Sequence, residues 1–495
     1  MALEVELKLA IAPDDATRLR RHPLLRALKP LRHKLYGIYF DTPQFDLYRQ
    51  RSAIRLRREG YHWVQTLKLD GGDSAALSSR PEWEARTTGN QPDLDILPKA
   101  ARQQLPPDLA TRLRPIFITD IRRTVWLLER PEGVVEIALD AGWIRVGEAE
   151  LPISELELEI KSGDSGLLID IALELLTAAP MLPEYRSKAL RGYELAGVWQ
   201  QMPAKTGPVT MADQPSAAEA WRRLLLAGLT QLSRNLPGLL SGHEPEYGHQ
   251  MRIAVQRIET VLRLGRRIGL ARPDWLSELR WLMAELAPAR DWDVMVTETL
   301  ADCRAALPDG NRLDALIAVA DARRTAARER ARAAATEPRT TRLLLTMTKD
   351  LMPERSGGVK LANWAGESLD RRLRQFRKLA RQYDRLNAAG RHRLRIATKR
   401  LRYAGEAYAP RYGDQANDYL ARMARLQDSL GAANDAAVAQ GLLVELTAQD
   451  KTLAQAASLA EGFMIGVTIG QARRLAKLTS AALAARPFWR RTKKK

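Results

Sequence analysis

Glu4, Glu6 and Lys8 alternate with Val5, Leu7 and Leu9 near the start of the chain. Successive side chains of an extended strand point to opposite faces, so the two carboxylates and the amine share one face. The arrangement recurs. Arg55 and Arg57 flank Leu56, Glu82 and Glu84 flank Trp83, and Glu155, Glu157, Glu159 and Lys161 alternate with Leu156, Leu158 and Ile160. One such strand reads as a half-buried sheet with a solvated polar row. Four of them, carrying both signs, predict one shared charged interior. Carboxylate oxygens are hard ligands for Mg²⁺ or Mn²⁺. Lysine and arginine donate to phosphate oxygens, arginine in bidentate fashion. A cavity lined by both suits a polyanion held together with divalent cations.

The elements that must position these residues follow from alternation and turn chemistry. Strands are predicted at the N-terminus, at Lys34–Phe40, Ala53–Arg58, His62–Leu69, 80–86, Phe117–Leu128, Val134–Val146 and 153–161, with helices at Pro13–Leu28 and Ser165–Ala179. Eight antiparallel strands can close around a small-ligand cavity. If the charged faces point inward, helices must cover the apolar outer faces.

The ordered set Glu4-x-Glu6-x-Lys8, Tyr39-Phe40-Asp41-Thr42-Pro43, Ile54–Arg58, Thr66-Leu67-Lys68, Glu82-Trp83-Glu84, Arg122-Arg123, Glu136–Asp140 and Glu155–Lys161 resembles the signature of the CYTH superfamily, the triphosphate tunnel metalloenzymes. The resemblance covers roughly residues 1–200. It implies a closed eight-stranded barrel, or tunnel, with flanking helices, in which one metal helps bind triphosphate and a second activates water. It further implies catalytic and metal-binding roles for Glu4, Glu6, Asp140, Glu157 and Glu159, with Glu82 and Glu84 as further metal candidates. Triphosphate contact falls to Lys8, Arg55, Arg57, Lys68, Arg123 and Lys161, and Lys8 joins the catalytic set. Arg122 rivals Arg123, because register decides which faces inward. Lys188 and Arg191, in the closing Ser187–Tyr193 segment, are open between phosphate contact and a plain helix surface.

The chain has 495 residues and a net charge of +19, unevenly placed: −1 over residues 1–200 and +20 over the remainder. The basic part attracts polyanions such as polyphosphate, nucleic acid or an anionic membrane. No uninterrupted apolar run approaches the ~18 residues of a membrane span, no secretory leader is apparent, and the single cysteine, Cys303, allows no intramolecular disulfide. A cytoplasmic protein is the simplest expectation, with association to polyphosphate granules as its extension.

Residues 201–215, proline-rich and aperiodic, read as a linker between residues 1–200 and an all-helical region at 216–488, followed by a basic tail at 489–495. The helical region repeats itself. His249-x-x-Arg252 through Arg257 aligns with His392-x-x-Arg395 through Arg400 at an offset of 143, and a second block around Asp291 and Asp435 aligns at 144. Two helical-bundle halves are expected. His392, Arg395, Lys399 and Arg402 share one helix face, where four basic groups repel unless an anion lies between them. In the first copy that face reads His249, Arg252, Gln256 and Glu259, then Arg263. These helices, with Pro288–Val294 and Leu426–Gly431, resemble the CHAD domain, the conserved histidine α-helical domain. That resemblance implies binding of long-chain inorganic polyphosphate by His249, Arg252, Arg257, Arg263, His392, Arg395, Lys399, Arg400 and Arg402. Gln256 and Glu259 depart from the basic pattern. Arg290, Asp291 and Asp293 read as ion pairs tying helices together rather than as a metal site.

The reading expected from the whole is Mg²⁺- or Mn²⁺-dependent hydrolysis of inorganic tripolyphosphate in the tunnel, with polyphosphate held by the helical half. Alternatives are a non-catalytic polyphosphate- or granule-binding protein, or a tunnel enzyme acting on ATP or thiamine triphosphate. Nucleic acid is a weaker partner, since the basic helices lack an aromatic stacking platform.

Overall fold

The computed structural model describes the chain except residues 1, 70–72, 75, 76, 88, 107, 208, 210, 212–214, 243, 353–359, 410, 411 and 491–495, and except the side chains of residues 2–4, 59, 73, 74, 77–80, 267, 362, 363 and 388. The chain forms two compact units: Met1–Pro203 with Thr336–Pro353, and Ala204–Ala335 with Glu354–Lys495.

The first unit is built on an antiparallel sheet: β1 (Ala2–Ile11), β2 (Leu31–Asp41), β3 (Ser52–Glu59), β4 (His62–Leu69), β5 (Asp73–Ser74), β6 (Leu77–Thr87), β7 (Arg114–Arg130), β8 (Gly133–Val146), β9 (Ala149–Gly163) and β10 (Met181–Pro183). Their order is β10-β1-β9-β8-β7-β2-β3-β4-β6-β5, and β1 also pairs with β6 from Ala2 opposite Glu82 to Leu7 opposite Leu77. Two short strands, β5 and β10, thus accompany the eight long ones expected.

Apolar and charged residues separate by face as the alternation requires. Leu7, Leu9, Ile137, Leu139, Leu156 and Leu158 pack with Leu168, Ile171 and Leu175 of the helix Gly166–Leu175. Ile54, Leu56 and Leu67 pack under short helices with Leu97 and Leu109. The helix expected over Pro13–Leu28 is two, Pro13–Leu19 and Pro23–Arg26. His22, held extended before Pro23, breaks it (ψ 135°).

A helix from far along the chain, Pro338–Leu351, belongs to this unit. Leu345 lies in the core behind β1, β8 and β9, and the buried Thr341 hydroxyl donates to the Met181 carbonyl at 2.6 Å.

The second unit is all-helical. Glu246–Gly265 packs on Ala217–Arg234, Leu276–Val294 and Ala388–Tyr408; Ala388–Tyr408 packs further on Leu361–Ala380 and Asn417–Gln449; and Asn417–Gln449 packs on Ala454–Ala484. Within Lys451–Ala484 an 18-residue window has a mean hydropathy of 1.3 and is 22% buried. By length and composition alone this helix reaches the level of a membrane span, although it holds no unbroken apolar run of that length. Met464, Ile465, Val467 and Ile469, with the alanines on either side, keep the mean high, while Gly466 and Thr468 interrupt the apolar run.

Candidate active site and basic helical cluster

Cross-strand register assembles the acidic and basic residues of the first unit into rungs. Lys8 lies opposite Glu157, Glu6 opposite Glu159, and Glu159 opposite Glu136. One rung further, Ala10, Glu155, Asp140 and Arg123 follow one another across β1, β9, β8 and β7. Glu4 lies opposite Arg80; its side chain is outside the described residues.

The side chains of these rungs form one network. Arg123 grips both oxygens of Asp140 at 2.7 Å and also bonds Glu157. Lys188 Nζ lies 2.8 Å from Asp140 and 2.9 Å from Glu157, and it contacts Glu155. Arg191 takes the second oxygen of Glu155. Lys8 Nζ lies 2.5 Å from Glu6 and 3.6 Å from Glu157. Burial favours the neutral acids, but Lys188 and Arg123 outweigh it and hold Asp140 below the usual carboxylate range; with Lys8 they hold Glu157 well below it. Burial likewise opposes the charge on Lys188, and Asp140, Glu155 and Glu157 overcome it and raise its pKa.

One oxygen from each of Asp140, Glu155 and Glu157, all buried, lies within 4.8 Å of the others. Three converging carboxylates are the hard, anionic donor set that Mg²⁺ or Mn²⁺ takes, so these residues fit a divalent cation.

On the other strands Arg55 and Arg57 each lie 3.7 Å from Glu84, Thr66 donates to Glu84 at 3.0 Å, and Lys68 pairs with Glu82 at 3.0 Å. Lys161 pairs with Glu159 at 2.7 Å and approaches Glu136 at 3.5 Å.

Several of these placements go beyond the sequence reading. Arg123 faces the carboxylates and Arg122 is exposed, which resolves the register question. Glu155 had no assigned role, although it shares the phase of Glu157 and Glu159. Lys188 and Arg191 bind carboxylates. They are carried by the helix Lys188–Leu195, which Ser187 caps through Leu190 N. Buried Asp41 fixes that helix: it accepts from the Tyr193 hydroxyl at 2.8 Å and from the backbone amides of Thr42, Leu47 and Tyr48.

In the second unit, the helices bearing His249 and His392 meet directly. Lys399 Nζ donates to Gln256 Oε1, and Arg257 pairs with Glu406 at 3.1 Å. Lys399, Arg402 and Arg257 surround the buried Tyr403 ring at 5.7, 4.9 and 5.4 Å from its centroid. Burial, then Arg395, Arg252 and Arg402, lower the Lys399 pKa to about 7, against the pull of Glu259. Burial and Arg290 lower that of His249 to about 4. Arg395 Nε is buried without a hydrogen-bond partner. Arg263 pairs with Glu259 at 3.0 Å, while burial and Arg263 lower the pKa of Arg400. His392 is exposed, its Nδ1 2.8 Å from Asn434. Asp291 pairs with Arg252 at 3.2 Å, Asp293 with Arg328 at 2.6 Å and Arg290 with Glu298 at 3.2 Å, the ion pairing expected of that segment.

A charged sheet joined to a basic helical unit is the architecture of two known domains in sequence. Residues 2–193 match the family model of the CYTH domain and residues 223–444 that of the CHAD domain. The chain belongs to the proteins in which a CYTH domain is followed by a CHAD domain. It is similar to an inorganic triphosphatase of Haemophilus influenzae, 37% identical over 203 residues, which make up 39% of this chain and 55% of that relative. The match therefore spans about half the relative's length. An uncharacterized protein of Mycobacterium tuberculosis is 26% identical over 408 residues, 76% of each chain. The crystal structure of the CHAD domain from the plant Ricinus communis is similar with a TM-score of 0.51 at 32% identity, covering 58% of this chain and 98% of that one.

Proposed function

We propose that the first unit hydrolyses inorganic tripolyphosphate with Mg²⁺ or Mn²⁺, and that the second binds long-chain inorganic polyphosphate. The observation that carries the first part is the convergence of Asp140, Glu155 and Glu157 beside Lys8, Arg123 and Lys188. The likeness to an inorganic triphosphatase supports it. The double pairing of β1, with β9 and β6, supports a sheet that wraps a charged interior as a tunnel.

Asp140, Glu155 and Glu157, with Glu4, Glu6 and Glu159 nearby in register, would hold the cation. A bound divalent cation supplies charge neutralisation and a water of lowered pKa. The chain's own groups do the rest. Arg55, Arg57, Lys68 and Lys161, each lying beside a carboxylate, exchange that partner for phosphate oxygens and orient the anion. Lys8, Arg123 and Lys188 are the cations and donors that would face the phosphoryl group on which charge develops, and a cation held by the carboxylates would free them for it.

In the second unit the mutual repulsion around Lys399 supports an anion site. Arg252, Arg395 and Arg402 disfavour the ammonium there, and an anion would relieve this.

The test is phosphate release from tripolyphosphate, with ATP and long polyphosphate in parallel, for the wild type and Asp140→Asn/Glu157→Gln. Cation-dependent release from tripolyphosphate, lost in the double variant, is expected. Polyphosphate binding with no release from any substrate would leave a binding protein.

A further inference from the structure

We infer that the helix Pro338–Leu351, a stretch within the CHAD match, is a working brace of the tunnel unit, and that Thr341 is a positioning residue for its carboxylate cluster. This rests on the reading of that cluster as the reactive site.

The path from Thr341 to the cluster is short and consists of hydrogen bonds. The Thr341 side chain is fully buried and donates to the carbonyl of Met181. Met181, Leu182 and Pro183 form β10 and pair with Ile11, Ala10 and Leu9 of β1. The next amide, Glu184 N, donates to the carbonyl of Lys8 at 2.9 Å. The chain then turns through Arg186 to Ser187, which caps the helix that delivers Lys188 and Arg191 to Asp140, Glu155 and Glu157. One hydroxyl therefore anchors the strand that is bonded to β1 beside Lys8 and leads into the helix carrying Lys188.

A second contact acts from behind the sheet. Leu345 is fully buried among Leu7, Leu9, Leu156 and Leu158, the apolar faces of the strands that carry Lys8 and Glu157. Lys349 pairs with Asp170 on the helix Gly166–Leu175, which lies across the same strands. Strand side chains alternate, so a shift of the apolar face moves the charged face with it.

The experiment uses the full chain: wild type, Thr341→Val, which keeps shape and loses the donor, Thr341→Ser, which keeps the donor, Leu345→Ala, and Arg342→Gln on the exposed side of the helix. Amide exchange at residues 9–11, 181, 182 and 184 is measured with kcat and KM for tripolyphosphate in Mn²⁺. Loss of one buried hydrogen bond predicts exchange about 2–10-fold faster there for Thr341→Val, with a similar fall in kcat and a smaller change in KM. Thr341→Ser restores both, and Arg342→Gln changes neither. Leu345→Ala shows the same two effects, which keeps the test alive should Thr341→Val not fold. Unchanged exchange at these amides overturns the brace. Faster exchange with unchanged kcat overturns the positioning role. If the wild type hydrolyses nothing, the triphosphatase reading fails and the exchange data alone decide the brace.

Discussion

Lys399 and Gln256 stand 143 positions apart, at equivalent places in two similar helices, and they hydrogen-bond each other. The internal alignment of the sequence is therefore also a contact. Had the first copy carried lysine at this point, two ammonium groups would face each other. Glutamine supplies an acceptor instead, and the remaining strain is expressed in the Lys399 amine, which titrates at about 7.

Polyanion affinity should follow that titration. As pH rises through about 7, Lys399 loses its proton and the site loses a charge, so binding of long-chain polyphosphate weakens, and binding above pH 7 takes up a proton. Calorimetry in buffers of different ionisation enthalpy checks this. Lys399→Arg, which stays charged, should bind with little pH dependence between 6 and 8.5.

Stability should move the other way. The folded amine titrates near 7 and the unfolded one near its ordinary 10.5. Between these values the unfolded chain holds more protons, so the site's contribution to stability rises with pH across that window; below it the cost of burying the charge is fully present. Denaturant unfolding of wild type and Lys399→Met between pH 7 and 10 should converge at the upper end.

Lys188→Met removes the ammonium shared by Asp140, Glu155 and Glu157. Breaking a buried ion pair from one side costs about 3–5 kcal/mol, so the variant should unfold at lower temperature. A divalent cation would replace the lost charge: Mn²⁺ at a hundred times its Kd should return about 2.7 kcal/mol. Thermal melts with and without Mn²⁺ decide this without any assay of hydrolysis.

Glu155→Gln tests the acid of the motif stretch to which the sequence reading gave no role. Loss of an outer-shell partner at a metal centre already costs about 10–100-fold in metal affinity, so for a carboxylate of the donor set itself Mn²⁺ titration should show a loss of at least that range. Glu150→Gln, exposed on the same strand, should leave the affinity unchanged.

Arg123→Lys should behave as a disruptive change, because a single ammonium cannot reproduce the two parallel bonds to Asp140 and the bond to Glu157. A fall in phosphate release of about 10-fold or more is expected, as for the loss of a positioned donor. Arg122→Lys should be silent.

What the sequence disclosed and what it withheld divide along physical lines. Period-two alternation is local, so the charged and apolar faces of β1, β3, β6 and β9 were readable, and the shared face of Glu157 and Lys8 with them. The choice between Arg122 and Arg123 depends on register against β8, which no single strand contains. Glu155 carried the right phase and opened the Glu155–Lys161 stretch of the motif, yet nothing in the sequence gave it a role apart from Glu157 and Glu159. Lys188 reaches the cluster on a helix that the bond between Asp41 and Tyr193, 152 positions apart, ties to a distant segment. Tyr403 reads as an ordinary core aromatic until three cations are found around it. The helix Pro338–Leu351 has the pattern of any amphipathic helix, and its pattern does not say which core it joins.

That helix also sets a timetable. The first unit's last contiguous residue is Pro203, but its core takes in Leu345, which emerges more than a hundred residues later. At translation rates of about 5–20 residues per second, the first unit waits on the order of ten seconds for its final helix. During that interval the apolar side of β1 and β10 lacks its last cover. A ribosome stalled before residue 338 would therefore hold a strand edge that is vulnerable to protease and chaperone alike.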